Sequence, residues 1–521
     1  MVEGASTMRR PHSAMSGRKQ ERRSLCLGLE LTHFGPIKHA DIRVAPLTVL
    51  IGPNNSGKSF FAMALHALIR WHAASPFERL LRSARALRNS GSGSEAAALD
   101  ITSVLETLLT KGAVDIPESA IQRYSIDATT GGLDSHLSGL YQAPPSDLRA
   151  AWGKKRLRAR LRWRRGSVAL SVNRDGCMVE GIEAAPVRVV LDDALPLGEI
   201  ELPEQDGASH FVVARERVRA ELEEHRTDEE PFMSMLLPTL ARRWATDGLP
   251  LSTHYLPAGR SGIMQAYDSI VAAVLQGAAE APFGVDIPRV PGAAAEFLTV
   301  LVSRWRSERR RATRRRSTSP VDEAIAQFEA TALNGEVTID FTDTGPVPTF
   351  TYRSPIGDLP LVRASSSVLE VAPLSVYLRG HVGEGDLLII EEPEAHLHPA
   401  NQRRMARLLA ALIRAGVFVL ITTHSDYLVE QLRALRMAGE LPADERAEVL
   451  DETPEAYLRG DELGIYLFDG AYDDAGEFVG STARELPWRV TDDDEPGYYE
   501  QVDQALYDEL TTLERRITAK D

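Results

Sequence analysis

The chain has 521 residues, 43% hydrophobic and 26% charged, with a formal net charge of −15 at pH 7. That length exceeds one ordinary core, since domains typically run about 100–150 residues, so two or more lobes are expected. The acidic balance excludes a protein that coats nucleic acid with its whole surface, no apolar run reaches the ~20 residues of a membrane helix, and the two cysteines, Cys26 and Cys177, supply neither a disulfide framework nor a C-x-x-C zinc site.

In chain order, residues 1–23 carry Arg9, Arg10, Arg18, Lys19, Arg22 and Arg23 but no apolar h-region. They read as a disordered basic tail rather than a secretory signal, and a cytoplasmic location is expected. Leu47, Val49, Leu50 and Ile51 then predict a short buried strand, and Phe60, Phe61, Met63, Ala64, Leu65, Leu68 and Ile69 the apolar side of a helix. Between them Gly52, Pro53, Asn54, Asn55, Ser56, Gly57, Lys58 and Ser59 fit G-x-x-x-x-G-K-[ST] at every fixed position. Gly52 and Gly57 allow a tight backbone whose N–H groups point at phosphate oxygens, and the helix N-terminus adds partial positive charge. Lys58 is the candidate for the β- and γ-phosphates, Ser59 for Mg²⁺, and Phe60 closes the nucleotide-contact segment. A chance glycine-rich turn is the competing reading, and a strand before and a helix after weigh against it.

Further on, Leu157, Ala159, Leu161 and Trp163 alternate with Arg156, Arg158, Arg160, Arg162 and Arg164, which predicts a strand with one apolar and one arginine face, turning at Gly166 into a second strand. The segment Arg156–Arg165 is one candidate nucleic-acid surface, and the basic island Arg304–Arg316 a second. A solvated charged face is the alternative for both.

Downstream, four apolar residues, Leu387 to Ile390, lead directly into Glu391 and Glu392, and Pro393 ends the strand. In a parallel sheet the carboxyl ends of the strands face the ligand crevice. Glu391 is therefore the candidate for holding Mg²⁺ through water, and Glu392 for orienting or deprotonating the attacking water. A helix opening at Pro399 and closing at Gly416 leads to another buried strand, Val417 to Ile421, which ends in Thr422, Thr423 and His424. His424 sits where an imidazole can reach a γ-phosphate; a structural histidine is the plainer alternative. A last strand is expected at "ELGIYLFDG", followed by an acidic loop and a C-terminal helix.

These three motifs, "GPNNSGKS", "LLIIEEPEAHLHP" and "TTHS", resemble in content and order the ABC-type ATPase heads of the OLD-like (overcoming lysogenization defect) and RecF/SMC-like proteins, with "EEPEAHLHP" pointing to the OLD-like branch. The resemblance covers about residues 24–75 and 250–470. It implies an α/β fold, a bilobal ABC-type P-loop NTPase head with an inserted α+β region. The expected organisation is a tail at 1–23, the head's Walker A part at 24–75, the insertion at 76–249, a helical region with the basic loop at 250–335, the signature-like, Walker B and switch-histidine part at 336–470, and an acidic loop and helix at 471–521. No long heptad arms and no Toprim-type metal pattern are evident.

The resemblance further implies ATP and Mg²⁺ as cofactors and a homodimer, or higher oligomer, with ATP sandwiched between heads. The partner's signature segment would complete each site. Ser365, Ser366 and Ser367 in "RASSSVLEVAPL" stand where that segment falls, although the L-S-G-G glycines are missing, and a simple serine N-cap is the alternative. Glu391 departs from the more usual aspartate. Arg260 is a candidate for phosphate or the partner head and Gln265 for a metal-sensing glutamine, a Pro-Ala-Gly turn with a solvated arginine being an equal alternative. The function this implies is a Mg²⁺-dependent ATPase whose head closure controls a separately encoded effector, a nuclease or toxin, in anti-phage defence. A RecF-like DNA-repair ATPase and a nucleotide-gated scaffold with negligible turnover remain open beside it.

Overall fold

The computed structural model describes residues 25–72, 101–116, 133–148, 156–164, 166–173, 176–184, 187–193, 195, 200–201, 209–226, 248–267, 269–270, 292–311, 319–340, 349–379, 381–450, 453 and 455–489. The tail at 1–23 and the expected C-terminal helix lie outside them. Among the described residues no helix is long and apolar enough to cross a membrane.

The strands, in chain order, are β1 (Leu27–Phe34), β2 (Ile37–Val44), β3 (Leu47–Ile51), β4 (Ala113–Ile116), β5 (Leu157–Trp163), β6 (Gly166–Asn173), β7 (Gly176–Ala184), β8 (Val187–Asp192), β9 (Ile200–Glu201), β10 (Ser209–Ala214), β11 (Thr253–Leu256), β12 (Glu336–Asp340), β13 (Thr349–Ser354), β14 (Gly357–Pro360), β15 (Leu387–Glu391), β16 (Phe418–Thr422), β17 (Leu463–Tyr472) and β18 (Phe478–Leu486). Eleven of them form one sheet in the order β11-β15-β16-β3-β17-β18-β2-β1-β5-β6-β7. From β11 to β17 every pairing is parallel. Strand β18 turns back antiparallel to β17, pairs parallel with β2, and the remaining strands are antiparallel. Two smaller sheets, β4-β8-β10-β9 and β12-β13-β14, stand apart from it.

Both faces of the parallel half are covered, which is why its strands read as unbroken apolar runs rather than alternating ones. Alternate residues go to two separate cores: Leu387, Ile389, Phe418 and Leu420 to one, Leu388, Ile390, Val419 and Ile421 to the other. The first core also takes Phe61, Ala64, Leu65 and Leu68 from the helix at 58–72, the second Met405, Leu408, Leu409 and Leu412 from the helix Pro399–Arg414. Each such side chain, fully buried, contributes roughly 1.5–3 kcal/mol, so the strand ends that carry the polar motifs are held by the best-packed part of the molecule.

Two expectations are corrected. The stretch 76–249 is not simply set into the head: β5, β6 and β7 lie within it and continue the head's own sheet beyond β1. The arginine face of β5 is partly neutralised there, because Arg162 pairs with Asp41 and Arg158 lies 3.6 Å from Glu180. Secondly, β17 is not the last strand. Residues read as the start of a loop form β18, whose alternation is diluted by Gly480, Ser481 and Thr482, and it is this strand that joins the parallel and antiparallel halves.

Candidate active site

The site lies at the carboxyl ends of β3, β16 and β15. Register fixes the ends relative to one another: Glu391 stands beside Thr422, and Thr422 beside Leu50. Hydrogen bonds past the strand ends continue this lattice, from Glu392 N–H to Thr422 O at 2.8 Å and from Thr423 N–H to Leu50 O at 3.0 Å.

After β3 the chain turns through Gly52 (φ 134°), Asn55 (φ 62°) and Gly57 (φ 100°) before the helix at 58–72 begins. A side chain at Gly52 would place Cβ 2.2 Å from the Phe468 carbonyl oxygen, and one at Gly57 would meet Ile37 Cγ1 at 2.6 Å. The loop is therefore confined from outside as well as bent from within. Asn54 and Asn55 form its exposed tip, whereas Ser56 is buried, its carbonyl accepting from the Ser481 hydroxyl and its own Oγ without a partner. Phe60 packs its ring against Phe34 and Tyr141, and the Tyr141 hydroxyl donates to the Phe60 carbonyl at 2.6 Å. What Phe60 offers a phosphate is then its backbone amide, one of the unbonded first-turn N–H groups of the helix, together with those of Lys58 and Ser59.

Lys58 is 5% exposed, and its Nζ donates to the carbonyls of Gly52 and Pro53, both at 2.8 Å. An ammonium has three donors, so one remains beyond these two. Burial pushes the Lys58 amine down to about 8, opposed by the charges of Glu392 and Glu394. The Ser59 hydroxyl sits half-buried one residue on.

Glu391 closes β15 and is buried. One of its carboxylate oxygens accepts from the Tyr255 hydroxyl at 2.7 Å, the other from the Ala258 N–H at 2.8 Å. Burial and Glu391 push the Tyr255 hydroxyl well above its ordinary range, so it stays protonated as a donor. Each Glu391 oxygen keeps a second lone pair, which suffices for a water-mediated contact to a metal.

Glu392 follows in a left-handed conformation, φ 44°, unusual for a side chain of this kind and costing on the order of 1 kcal/mol or more. That turn directs the chain so that the Glu392 carboxylate comes within 3.8 Å of His424 Nε2. Burial and Lys58 together lower the His424 imidazole, with Glu392 opposing, so the ring is mainly neutral at pH 7.

Two further groups were given little weight by the sequence. Glu394, 9% exposed, accepts from the Thr423 hydroxyl at 2.6 Å and from the His424 N–H at 2.9 Å, both on the same oxygen, while the other oxygen is buried without a partner. Burial raises its carboxyl above the usual range, against the pull of these bonds. Arg260, only 1% exposed, does not face a phosphate or a partner. Its guanidinium donates to the carbonyls of Pro257 (2.9 Å), Glu391 (2.6 Å) and Glu392 (3.0 Å) and pairs with the buried Glu370 at 2.6 Å. It is a buttress beneath the acidic turn. Gln265, by contrast, is exposed at the end of the short helix Arg260–Gln265.

Ser365, Ser366 and Ser367 open the helix Ser366–Leu378, which runs on through Pro373. Ser365 caps it by accepting from Val368 N–H, and the Ser367 hydroxyl donates to the His396 carbonyl at 2.8 Å, linking this turn to the segment after Glu394. Among the described residues, no hydrogen bond joins these serines to the loop that carries Lys58. Ser365 and Ser366 are exposed, so they face outward from this chain.

The donor set suits a magnesium nucleotide. Among the described residues there is no cluster of three or more His, Cys, Asp or Glu that could hold a metal ion by itself, and Mg²⁺ bound through one hydroxyl, phosphates and waters needs none. The tight turn that a Cβ at Gly52 or Gly57 would obstruct suits backbone binding of a triphosphate, and the Glu394 oxygen that has no partner among the described residues suits a bound water.

Residues 281–430 match a domain family described as "AAA domain, putative AbiEii toxin, Type IV TA system", a segment that includes Ser365–Ser367, Glu391, Glu392 and His424. Comparison with curated proteins gives no match. Among solved structures, the chain is similar to an SMC head bound to the C-winged helix domain of ScpA (12% identity, 88% of this chain and 97% of that one, TM-score 0.36). It is also similar to the SMC head domain from Thermotoga maritima (13%, 90% and 100%, TM-score 0.32). A third likeness is to the Pyrococcus furiosus Smc head domain with an extended coiled coil, bound to the C-terminal domain of ScpA (11%, 88% and 95%, TM-score 0.36).

Proposed function

We propose that this chain is a Mg²⁺-dependent ATP hydrolase built on an ABC-type ATPase head, a reading that the match of residues 281–430 to an AAA domain family supports. The observation that carries the proposal is the convergence of Lys58, Glu392 and His424 at the ends of neighbouring parallel strands, with Glu392 felt at both Lys58 and His424.

In this reading the loop Gly52–Ser59 wraps the phosphates with its N–H groups, and Lys58 bonds the β- and γ-phosphate oxygens. Ser59, with Glu391 through water, would hold Mg²⁺, which when bound neutralises charge developing on the phosphates. Glu392 orients the attacking water and takes its proton, and the neutral His424 donates to the γ-phosphate. Arg260 keeps the acidic turn in place and Glu394 the Thr423–His424 segment. Little covalent chemistry is required of the protein, so positioning and electrostatics account for the rate.

Head pairing supplies what a single chain does not. The outward-facing Ser365 and Ser366 at a helix N-terminus would meet the γ-phosphate held by a second copy, making ATP the glue between two heads and hydrolysis the release. Closure would then be passed to a separately encoded nuclease or toxin, in anti-phage defence. Direct nucleic-acid binding is a second reading, for which the exposed Arg156 and Arg160 on and beside β5 speak, since among the described residues neither is taken up in an ion pair. Phosphate release measured with and without DNA separates these readings from a nucleotide-gated scaffold: turnover at background level in both conditions would leave only the scaffold.

A further inference from the structure

We propose that Glu394 is a positioning residue for hydrolysis: its carboxylate clamps the Thr423–His424 segment and thereby sets the His424 imidazole against Glu392. The consequence for turnover rests on the ATP-hydrolase reading above; the clamp itself rests on hydrogen bonds alone.

The turn after β15 does not need a carboxylate at this position. Its backbone is closed by Ala395 N–H to Glu392 O at 3.1 Å and Leu397 N–H to Glu394 O at 2.9 Å, bonds that any residue could make. The Glu394 side chain instead reaches across to the next strand end. There a single oxygen receives both the Thr423 hydroxyl and the His424 N–H, and bonds to an ionised acceptor are stronger than neutral ones.

From Thr423 the connection continues. Its hydroxyl accepts from Ser425 N–H at 3.0 Å, the Ser425 hydroxyl donates to Gln402 at 2.7 Å, and the same hydroxyl accepts from Leu428 N–H at 3.1 Å to cap the helix Asp426–Ala438. The switch segment is thus tied at its first residue to Glu394 and at its last to two helices. Glu392 is fixed independently, by Thr422 O on its amide and by Arg260 on its carbonyl. The distance between the Glu392 carboxylate and the His424 ring is therefore set by two separate anchors, and Glu394 is the one on the histidine side.

The second Glu394 oxygen is buried and, among the described residues, has no hydrogen-bond partner, so the clamp rests on the first oxygen alone. The Glu394 carboxylate is also felt at Lys58, where its charge opposes the effect of burial.

The test compares Glu394→Ala, Glu394→Gln and Glu392→Gln with the wild-type chain by equilibrium Mg-ATP binding, steady-state phosphate release, and amide exchange over residues 422–426 without nucleotide. Glutamine keeps an acceptor oxygen for both donors; alanine does not. The expected result for Glu394→Ala is a fall in kcat of about 10²-fold with KM changed by less than about threefold, and faster exchange at 422–426. Glu394→Gln should stay within about tenfold of wild type in kcat and keep wild-type exchange. Should Glu394→Ala fail to fold, Thr423→Val removes one donor from the opposite side and should show the same split between kcat and KM. Wild-type kcat in the alanine or valine variant overturns the proposal. So does a glutamine variant as inactive as Glu392→Gln, which would make Glu394 the base itself. A wild-type chain that binds Mg-ATP yet releases no phosphate overturns the hydrolase reading and with it the role in turnover; amide exchange then still decides whether the clamp exists.

Discussion

His424 Nε2 lies 3.8 Å from Glu392 Oε1, an imidazole and a carboxylate delivered by the ends of two adjacent parallel strands. Neither is deeply buried, so both remain accessible to a ligand arriving at the crevice, and their meeting gives the most direct handle on the chemistry.

Replacing Glu392 with glutamine keeps shape and hydrogen bonding but removes the base. ATP binding should be retained while phosphate release falls by about two to four orders of magnitude, with paired heads accumulating in sedimentation or light scattering. His424→Ala should slow release as well, and the double variant should be little slower than the worse single one, because the two act on the same water and phosphate. Wild-type turnover in Glu392→Gln would move the base elsewhere.

Lys58→Ala should abolish ATP binding, as measured by equilibrium dialysis or fluorescence of a labelled nucleotide. The intact lysine predicts a pH dependence. Burial pushes its amine down to about 8, against an ordinary value of 10.5, so on the proposed function raising pH above 8 discharges the group that would bond phosphate. Affinity for ATP should decline there by a limiting tenfold, about 1.4 kcal/mol, per pH unit, with proton uptake on binding visible by calorimetry in buffers of different ionisation heat. Folding responds with the opposite sign. Between pH 8 and 10.5 the unfolded chain holds this proton and the folded chain does not, so Lys58 adds stability as pH rises through that window and is at its most unfavourable below it.

Gly52→Ala should destabilise the fold and abolish nucleotide binding together. The alanine Cβ would lie 2.2 Å from the Phe468 carbonyl at a φ of 134°, and backbone cannot yield as a flexible side chain can. The conformational part alone is worth about 1–3 kcal/mol, readable as a lowered denaturant midpoint.

Arg260→Met should cost about 3–5 kcal/mol, since Glu370 would be left charged and unpaired in the interior. Activity should fall further than stability predicts, because the carbonyls of Glu391 and Glu392 would lose the guanidinium that ties them together. Arg260→Lys should not restore it: an ammonium cannot span Glu370 and two carbonyls with the geometry of a planar fork. Denaturant titration and phosphate release check the two effects separately.

The placement of the polar groups at the strand ends was legible because each motif is local: a glycine-bounded loop after one apolar run, an acidic pair after another, an imidazole after a third. Their convergence followed from the rule that parallel strands present their carboxyl ends to one crevice. What stayed hidden depends on partners far apart in the chain. Arg260 read as a free cation because Glu370, which neutralises it, is on another helix, and Tyr255, which holds Glu391, lies on a strand with only four residues. Nothing local distinguishes Glu394 as a residue that reaches across to Thr423. Strand β18 was missed because small residues at its centre dilute the alternation, although those same residues let Ser481 approach the loop carbonyl of Ser56.

Strand β17 lies alongside β3, and its Phe468 carbonyl stands against Gly52, though the two come from opposite ends of the described chain. During synthesis a ribosome therefore releases the phosphate-binding segment long before the wall that shapes it. Contacts so remote in sequence form slowly, and until they form, the edge of β3 is open to wrong pairings. The growing polypeptide thus carries the glycine-bounded loop without the wall that shapes it, and on the proposed function competence for ATP waits until β17 has docked against β3.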